Sequence, residues 1–342
     1  MKKALTTAGL VFFSFMLPCK AMASNFSQFY VFGDSLSDTG NLFNATGGLL
    51  NPETAIPPSP PYSQGRFSNG DIWVNFVGDE IGLTPTQFIP TPANIPTEGI
   101  NFAFGGSSSG LNNAFFPDLP LPGILGQVGS FTQTLQANNQ KADSNALYTV
   151  WGGANDYLFA GVTDPNQTVS NLSNAVGALT QAGAKNIAVF NLPDLGQNPF
   201  AIANEISPQL TQLTLAHNAA LEQALDGLSA NTDVNIIRID INSLLNQAVA
   251  NPGKFGFTQN VETPCVVGDF NEIISVCDNP DQFIFFDAVH PSSKSHRLVA
   301  DATLSAIKHE TVPEPSTVLS TLAIGAMGTV GVLKRKRKKL LR

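Results

Sequence analysis

Apolar residues gather in short unbroken runs through the middle of this chain, with amphipathic stretches between them. Residues 28–32 form the first run, followed by "GINFAF" from Gly99, "ALYTVWG" from Ala146, "NIAVFNLP" from Asn186 and "VNIIRID" from Val234. Runs this short and this apolar predict buried strands. Apolar residues at helical spacing occupy Thr168–Ala182, "ISPQLTQLTLAHNAALEQAL" from Ile206 and "PSSKSHRLVADATLSAI" after His290. Strands alternating with helices predict an α/β fold with a parallel sheet covered on both faces. Sites in such sheets form where the strands end. Between the elements, "TAIPPSPPYSQGRFSNG" and "AFFPDLPLPGILG" are rich in proline and phenylalanine, show no repeat, and read as long functional loops. With Phe115 and Phe116 beside Pro117, Pro120 and Pro122, the second is either an apolar flap or a loop packed on the sheet.

The two ends depart from this pattern. Lys2 and Lys3, an apolar stretch from Ala4 to Leu17 and the small-x-small sequence Ala21-Met22-Ala23 read as an export signal over residues 1–23, cleaved after Ala23. Cys19 follows Pro18 rather than the small residue that a lipoprotein site requires. At the other end, residues 312–342 run from Pro313-Glu314-Pro315 through an apolar segment, 317–333, into a block of Lys and Arg. That apolar length lies at the short end of the roughly 17–25 residues that span a bilayer, and the basic block favours a cytoplasmic end. Hydropathy alone reads it as a permanent single-span anchor. The order of Pro-Glu-Pro, apolar helix and basic cluster resembles the PEP-CTERM sorting tails of exported bacterial proteins. The resemblance implies transient membrane anchoring, then cleavage near the Pro-Glu-Pro by a sorting protease. The expected location is therefore the cell envelope or the exterior.

Setting the ends aside changes the charge. Ten of the 18 basic residues but only one of the 26 acids lie in them, so the body carries 8 basic and 25 acidic residues, a net −17. Such a body is repelled by nucleic acid and suits a neutral or apolar substrate. A chain of 342 residues, 43% hydrophobic, buries a large core. Two cysteines remain in the body, Cys265 and Cys277 in "CVVGDFNEIISVC", and outside the reducing cytosol they are expected to form a disulfide. A loop of that size is worth about 3 kcal/mol in the chain-entropy picture. The alternative is two buried free thiols; no further Cys or His lies nearby to suggest a metal.

The candidate chemistry begins at "FGDSLSDTGN", where Ser35 emerges just past the first predicted strand. Gly33 relieves the backbone there, and Asp38, Thr39 and Asn41 are available to cap the next element. A polar turn after a strand is common, so Ser35 needs a base before it counts as a nucleophile. The chain has four histidines. His217 sits mid-helix, His296 lies inside the last helix and His309 near the tail, which leaves His290 in "FFDAVHPSS" at a loop-to-helix junction that Pro291 can open. Asp287, three residues earlier, is placed to orient the imidazole and stabilise its cation, although a helix-capping role is the alternative. Donors for an oxyanion are offered by Gly105-Gly106 in "GINFAFGGSSSG" and by Asn155 in "VWGGANDYL", each of which also reads as a tight turn.

These four blocks, in this order, resemble the SGNH or GDSL family of serine esterases and lipases: "FGDSLSDTGN", "NFAFGG", "GAND" and "DAVHP". "GRFSNGDIWVNF" and "NLPDLGQNP" look like further family stretches, and the resemblance spans nearly the whole body, residues 24–311. It implies a three-layer α/β/α sandwich with a central, mostly parallel sheet of flavodoxin-like type. It also implies Ser35 as nucleophile, His290 as base, Asp287 as its orienting acid, and the Ser35 amide, Gly106 and Asn155 as the oxyanion hole. No metal or cofactor is called for. The implied activity is hydrolysis of a small-molecule or lipid carboxylic ester. An acyltransferase on the same site and an inactive surface or matrix-binding protein are the alternatives.

Overall fold

A computed structural model describes residues 26–311 apart from 49, 52, 89–95 and 260. The predicted export signal, the sorting tail and its apolar segment 317–333 lie outside the described residues. Among those described, no helix is long and apolar enough to cross a membrane.

Six strands form one wholly parallel sheet: β1 (Phe29–Gly33), β2 (Thr86–Gln87), β3 (Ile100–Asn101), β4 (Leu147–Trp151), β5 (Asn186–Phe190) and β6 (Asn235–Ile239), in the spatial order β2-β3-β1-β4-β5-β6. Nine helices are present among the described residues: α1 (Asn41–Thr46), α2 (Trp73–Ile81), α3 (Ile124–Ala137), α4 (Ala154–Leu158), α5 (Pro165–Ala182), α6 (Pro199–Ala203), α7 (Ser207–Asn231), α8 (Ile241–Ala250) and α9 (Ser293–Thr311). A separate antiparallel hairpin joins β7 (Val266–Gly268) to β8 (Ile273–Val276).

Strand residues alternate between two cores, which is why β1 and β4 read as unbroken apolar runs. Tyr30, Phe32, Tyr148 and Val150 pack under α3, α5 and α7, through residues such as Phe131, Leu172 and Leu221. Phe29, Val31, Leu147 and Trp151 pack under α2 and α9, through Trp73, Val77, Val299 and Leu304. The result is the expected three-layer α/β/α sandwich. The chain enters at β1 in the middle of the sheet, runs to one edge, and returns to the other side of β1 with β4. That reversal leaves a crevice at the carboxyl ends of the strands beside β1.

The run from Gly99 is shorter as a strand than its sequence suggests. Only Ile100 and Asn101 pair in the ladder; past them the Ala103 amide is taken by Asn101 Oδ1, while Asn101 Nδ2 donates to Ser37 O and Thr39 Oγ1. The amides of Phe102 and Phe104 still reach Val31 O and Gly33 O, so the chain continues alongside β1 into the glycine block. The Phe115–Phe116 loop is anchored at its base, where Asn113 Nδ2 donates to Gly105 O and its Oδ1 accepts from the amides of Phe115 and Phe116, while Phe115 and Leu119 remain exposed.

Candidate active site

Ser35 stands two residues beyond β1, in a turn closed by the Asp34 carboxylate accepting from Leu36 N and by Asp34 O accepting from Ser37 N. Its Oγ lies 2.8 Å from His290 Nε2, across 255 positions of sequence. His290 Nδ1 lies 2.7 Å from Asp287 Oδ2 and 2.9 Å from Oδ1. With Nδ1 donating to the carboxylate, Nε2 is left to accept from the serine hydroxyl. All three side chains are buried but reach a crevice.

Asp287 does more than meet the imidazole. Its Oδ1 also accepts from the amides of Val289 and His290, which folds the short loop on which the imidazole stands. Its Oδ2 accepts a 2.7 Å bond from the Tyr62 hydroxyl. Burial alone would raise this carboxyl, but His290 and the donated hydrogen bonds outweigh it and hold Asp287 below the usual carboxylate range. Tyr62 is itself pushed far above its ordinary value, first by burial and then by the neighbouring Asp287, so it stays a donor. Phe67 lies against the imidazole, ring centroids 4.9 Å apart. Helix α9 starts at Ser293, not at Pro291; its first amide is bonded by Asn69 Oδ1 and the Pro291 carbonyl by Ser68 Oγ, so the "GRFSNG" loop braces the histidine segment.

The predicted oxyanion donors converge on the same crevice. Ser35, Gly105, Gly106 and Asn155 line it together with Tyr62, Phe67, Phe115, Phe116, Phe159 and Phe270, around a space of about 150 Å³. Among the described residues the amides of Ser35 and Gly106 donate to no protein acceptor, whereas the Gly105 amide is taken by Asp38 Oδ2 at 2.8 Å. Of the two adjacent glycines, Gly106 therefore carries the free donor. Its φ of 76° and the Asn113 Oδ1 only 2.7 Å from where a Cβ would stand require glycine at this position. Asn155 Nδ2 uses one hydrogen on Ser107 O at 2.9 Å and retains the other.

Buried polar side chains tie the blocks together. Asp38 accepts from Gly40 N, Asn41 N and Leu42 N at the start of α1 and from Gly105 N, joining the serine block to the glycine block. Gln127 on α3 bonds both the N–H and the C=O of Gly33 and also Ser107 Oγ. Asp156 accepts from Ser109 N and Oγ, fixing α4 to the same segment. His217 packs beneath Gly153, the residue before α4, and its Nδ1 meets the Tyr157 hydroxyl at 2.8 Å. His296 is wholly buried, and neither ring nitrogen has a protein partner among the described residues. His309 falls in the last turns of α9. Among the described side chains, only His290 meets a serine through one ring nitrogen and a carboxylate through the other.

Cys265 and Cys277 are joined by the expected disulfide. It closes the β7–β8 hairpin, whose tip sends Phe270 and Asp269 into the crevice wall. Sequence reasoning found neither this wall nor Tyr62, Asp38's second attachment or Gln127. Among the described residues no group of His, Cys, Asp and Glu is arranged to hold a metal.

A second space of about 70 Å³ adjoins Ser35, bounded by α4, α8 and α9 and lined mainly by apolar side chains, with Asp34, Asp194, Asn198 and Ser295 among its polar neighbours. It shares Ser35, Asn155 and Val289 with the crevice, but neither His290 nor Gly106.

The fold and the site together define a class: a parallel α/β/α sandwich with a serine, a histidine and an aspartate hydrogen-bonded in series at its strand ends, flanked by free amide donors. The sequence comparisons give that class a family. Residues 29–303 match the family model described as GDSL-like Lipase/Acylhydrolase, and residues 311–338 match the PEP-CTERM protein-sorting motif. The chain belongs to the GDSL lipase/acylhydrolase family and carries a PEP-CTERM tail, which implies export to the cell envelope. It is 32% identical to a phosphatidylcholine-sterol acyltransferase of Aeromonas hydrophila over 72% of this chain and 67% of that protein. It is 30% identical to esterase EstA of Pseudomonas aeruginosa over 90% of this chain and 50% of that protein. The chain thus spans about half to two thirds of the length of these relatives. A solved structure, the carbohydrate acetylesterase Est24 from Sinorhizobium meliloti, aligns with a TM-score of 0.44 at 12% identity over 82% of this chain and 98% of that one.

Proposed function

We propose that the protein is an exported serine hydrolase that cleaves carboxylic esters through an acyl-enzyme. His290 Nε2 takes the Ser35 hydroxyl proton as Oγ bonds to the ester carbonyl carbon. The oxyanion is received by the amides of Ser35 and Gly106 and by Asn155 Nδ2. The imidazolium, held by Asp287, passes its proton to the departing alkoxide, and the alcohol leaves. Water then enters, gives a proton to His290 and attacks the acyl carbon, so that the acid is released and Ser35 regains its proton. The chemistry calls for no metal or cofactor.

The observation that carries this reading is the relay itself, 2.8 Å from Ser35 Oγ to His290 Nε2 and 2.7 Å from Nδ1 to Asp287 Oδ2. Hydrolysis of p-nitrophenyl esters by the purified protein and by Ser35→Ala tests it. Turnover lost in the variant supports the hydrolase; equal rates in both would remove Ser35 and favour a surface-binding protein.

The likeness to an acyltransferase favours one second reading, transfer of the acyl group to an alcohol in place of water. Added glycerol or sterol that captures the acyl group faster than water would establish it. The proposal extends to processing: a signal peptidase cutting after Ala23, a single hydrolase domain over residues 24–311, and a sorting protease cutting near Pro313-Glu314-Pro315 after transient anchoring by residues 317–333. Mass spectrometry of the mature termini checks each cut, and an intact tail would instead support a permanent anchor.

A further inference from the structure

Resting on that ester-hydrolase reading, we infer that the apolar pocket behind Ser35 holds the acyl chain, and that the substrate is an ester of a linear aliphatic acid of about four to six carbons.

Directions at a single carbon lead there. Once bonded to Ser35 Oγ, the former carbonyl carbon has three other substituents. Its oxygen must reach the Gly106 amide, which lines only the crevice in front of Ser35. The leaving oxygen must reach His290 Nε2, which also lines only that crevice. The remaining substituent, the acyl carbon, is left to pass Asn155 and Val289 into the space behind.

The walls of that space say what it accepts. Leu158 of α4, Leu244, Leu245 and Ala248 of α8, Phe285, and Leu298 of α9 supply an apolar lining. The polar side chains on its border are turned to partners of their own. Asp194 accepts from Gly196 N, Gln197 Nε2 and Thr211 Oγ1; Asn198 Oδ1 accepts from Ala201 N; Ser295 Oγ donates to Ile284 O. Burial pushes Asp34 up to about 7, which leaves it mostly uncharged in mildly acid solution. With most of these polar atoms already paired, a chain bearing hydroxyls would be left short of partners there, whereas methylenes lose only water. At about 70 Å³ the pocket has roughly half the volume of a cavity that takes benzene, enough for a few methylenes beyond the carbonyl.

Two variants of the full chain press on this in opposite directions. Ala248→Phe fills the pocket, and Leu244→Ala enlarges it. We would measure kcat/KM for p-nitrophenyl acetate, butanoate, hexanoate, decanoate and palmitate, and for butanoates of alcohols of increasing size. The wild type is expected to peak at butanoate or hexanoate. Ala248→Phe should lower the hexanoate-to-acetate ratio at least tenfold, and Leu244→Ala should move the peak toward decanoate. A wild-type optimum at acetate or palmitate would overturn the inference, as would variants that reorder the alcohol series and leave the acyl series in place. Either variant alone carries the test if the other does not fold. Should the inference fail while Ser35→Ala still abolishes turnover, the hydrolase reading stands and only the chain's location is wrong.

Discussion

The hydroxyl of Tyr62 donates to Asp287 from a ring held edge-on between Phe270 and Phe286, at interplanar angles of 71° and 88°. Removing it as Tyr62→Phe keeps the ring and deletes one hydrogen bond to a buried charge, worth about 1.5–3 kcal/mol in general. Part of that loss falls on catalysis: kcat is expected to drop about tenfold with KM little changed. A carboxylate with one donor fewer pulls harder on the imidazolium proton, so the acid limb of the rate profile should move to higher pH. A variant with an unmoved limb would make Tyr62 a packing residue only. Asn155→Ala removes an oxyanion donor and should cost about 2.7–4 kcal/mol of barrier, read as a fall in kcat of about 10²–10³. The sequence exposed Ser35, His290 and Asp287 because four histidines leave few pairings and the aspartate is three residues from its partner. Tyr62 was hidden, since its partner is 225 residues away and no periodicity governs a proline-rich loop. Asp38 was half visible: capping of α1 follows from its neighbours, but its bond to Gly105 N across the site does not.

At the level of elements, the β7–β8 hairpin forms part of the crevice wall yet has little core of its own. Val267, Ile274 and Val276 point to solvent, while Cys265 and Val266 pack with Tyr62, Phe283 and Phe286. A two-stranded hairpin is marginal alone, so the disulfide that closes it, across 12 positions, adds about 3 kcal/mol to the bonds that Cys265 N and Val266 N give Phe285 O and Phe286 O. Reduction, or Cys265→Ser with Cys277→Ser, should free Phe270 from Tyr62 and Phe67 and lower kcat/KM by about tenfold or more. Far-ultraviolet circular dichroism should stay the same, because the hairpin is separate from the six-stranded sheet. Full activity after complete reduction would show the wall to be dispensable. The same contrast explains which elements were legible. β1, β4 and β5 announce themselves because the middle of a sheet covered on both faces needs apolar residues at nearly every position, whereas the edge strand β6 shows through Ile236, Ile237 and Ile239 around an exposed Arg238. β2, two residues long, is too short to show any period, and β3 was legible only as the longer apolar run from Gly99. Helix α3 carries Gly126 and Gly129, and α2 is nine residues long with Gly78 inside, so both owe their form to packing rather than propensity.

For the whole molecule, groups that the chemistry does not use shape stability across pH. Burial lowers His217 to about 4, and burial together with the nearby His290 lowers His296 to about 3. The unfolded chain takes up these protons from about pH 6.5 downward, and the folded chain does not until the lowered values are reached. In that window the unfolded state binds more protons, so stability is lost as pH falls from about 6.5. Asp34 acts in the other direction. Its pKa is raised by burial to about 7, so the folded state keeps a proton that the unfolded state releases from about 3.8 upward, and stability is lost as pH rises toward 7. The two trends oppose each other between about pH 4 and 6.5, and Asp38, raised by burial to about 6, adds to the second. His296→Met replaces a buried ring without hydrogen-bond partners by a side chain of similar volume, and should remove its share of the acid loss, about 2 kcal/mol at pH 5 and little at pH 8. Asp34→Asn retains an acceptor for Leu36 N and should do the reverse, stabilising at pH 8 more than at pH 5. Urea midpoints of the two variants and the wild type at pH 5 and 8 decide the matter. Crossed gains would establish that buried protonation sets the balance, and gains equal at both pH values would mean that packing alone accounts for them.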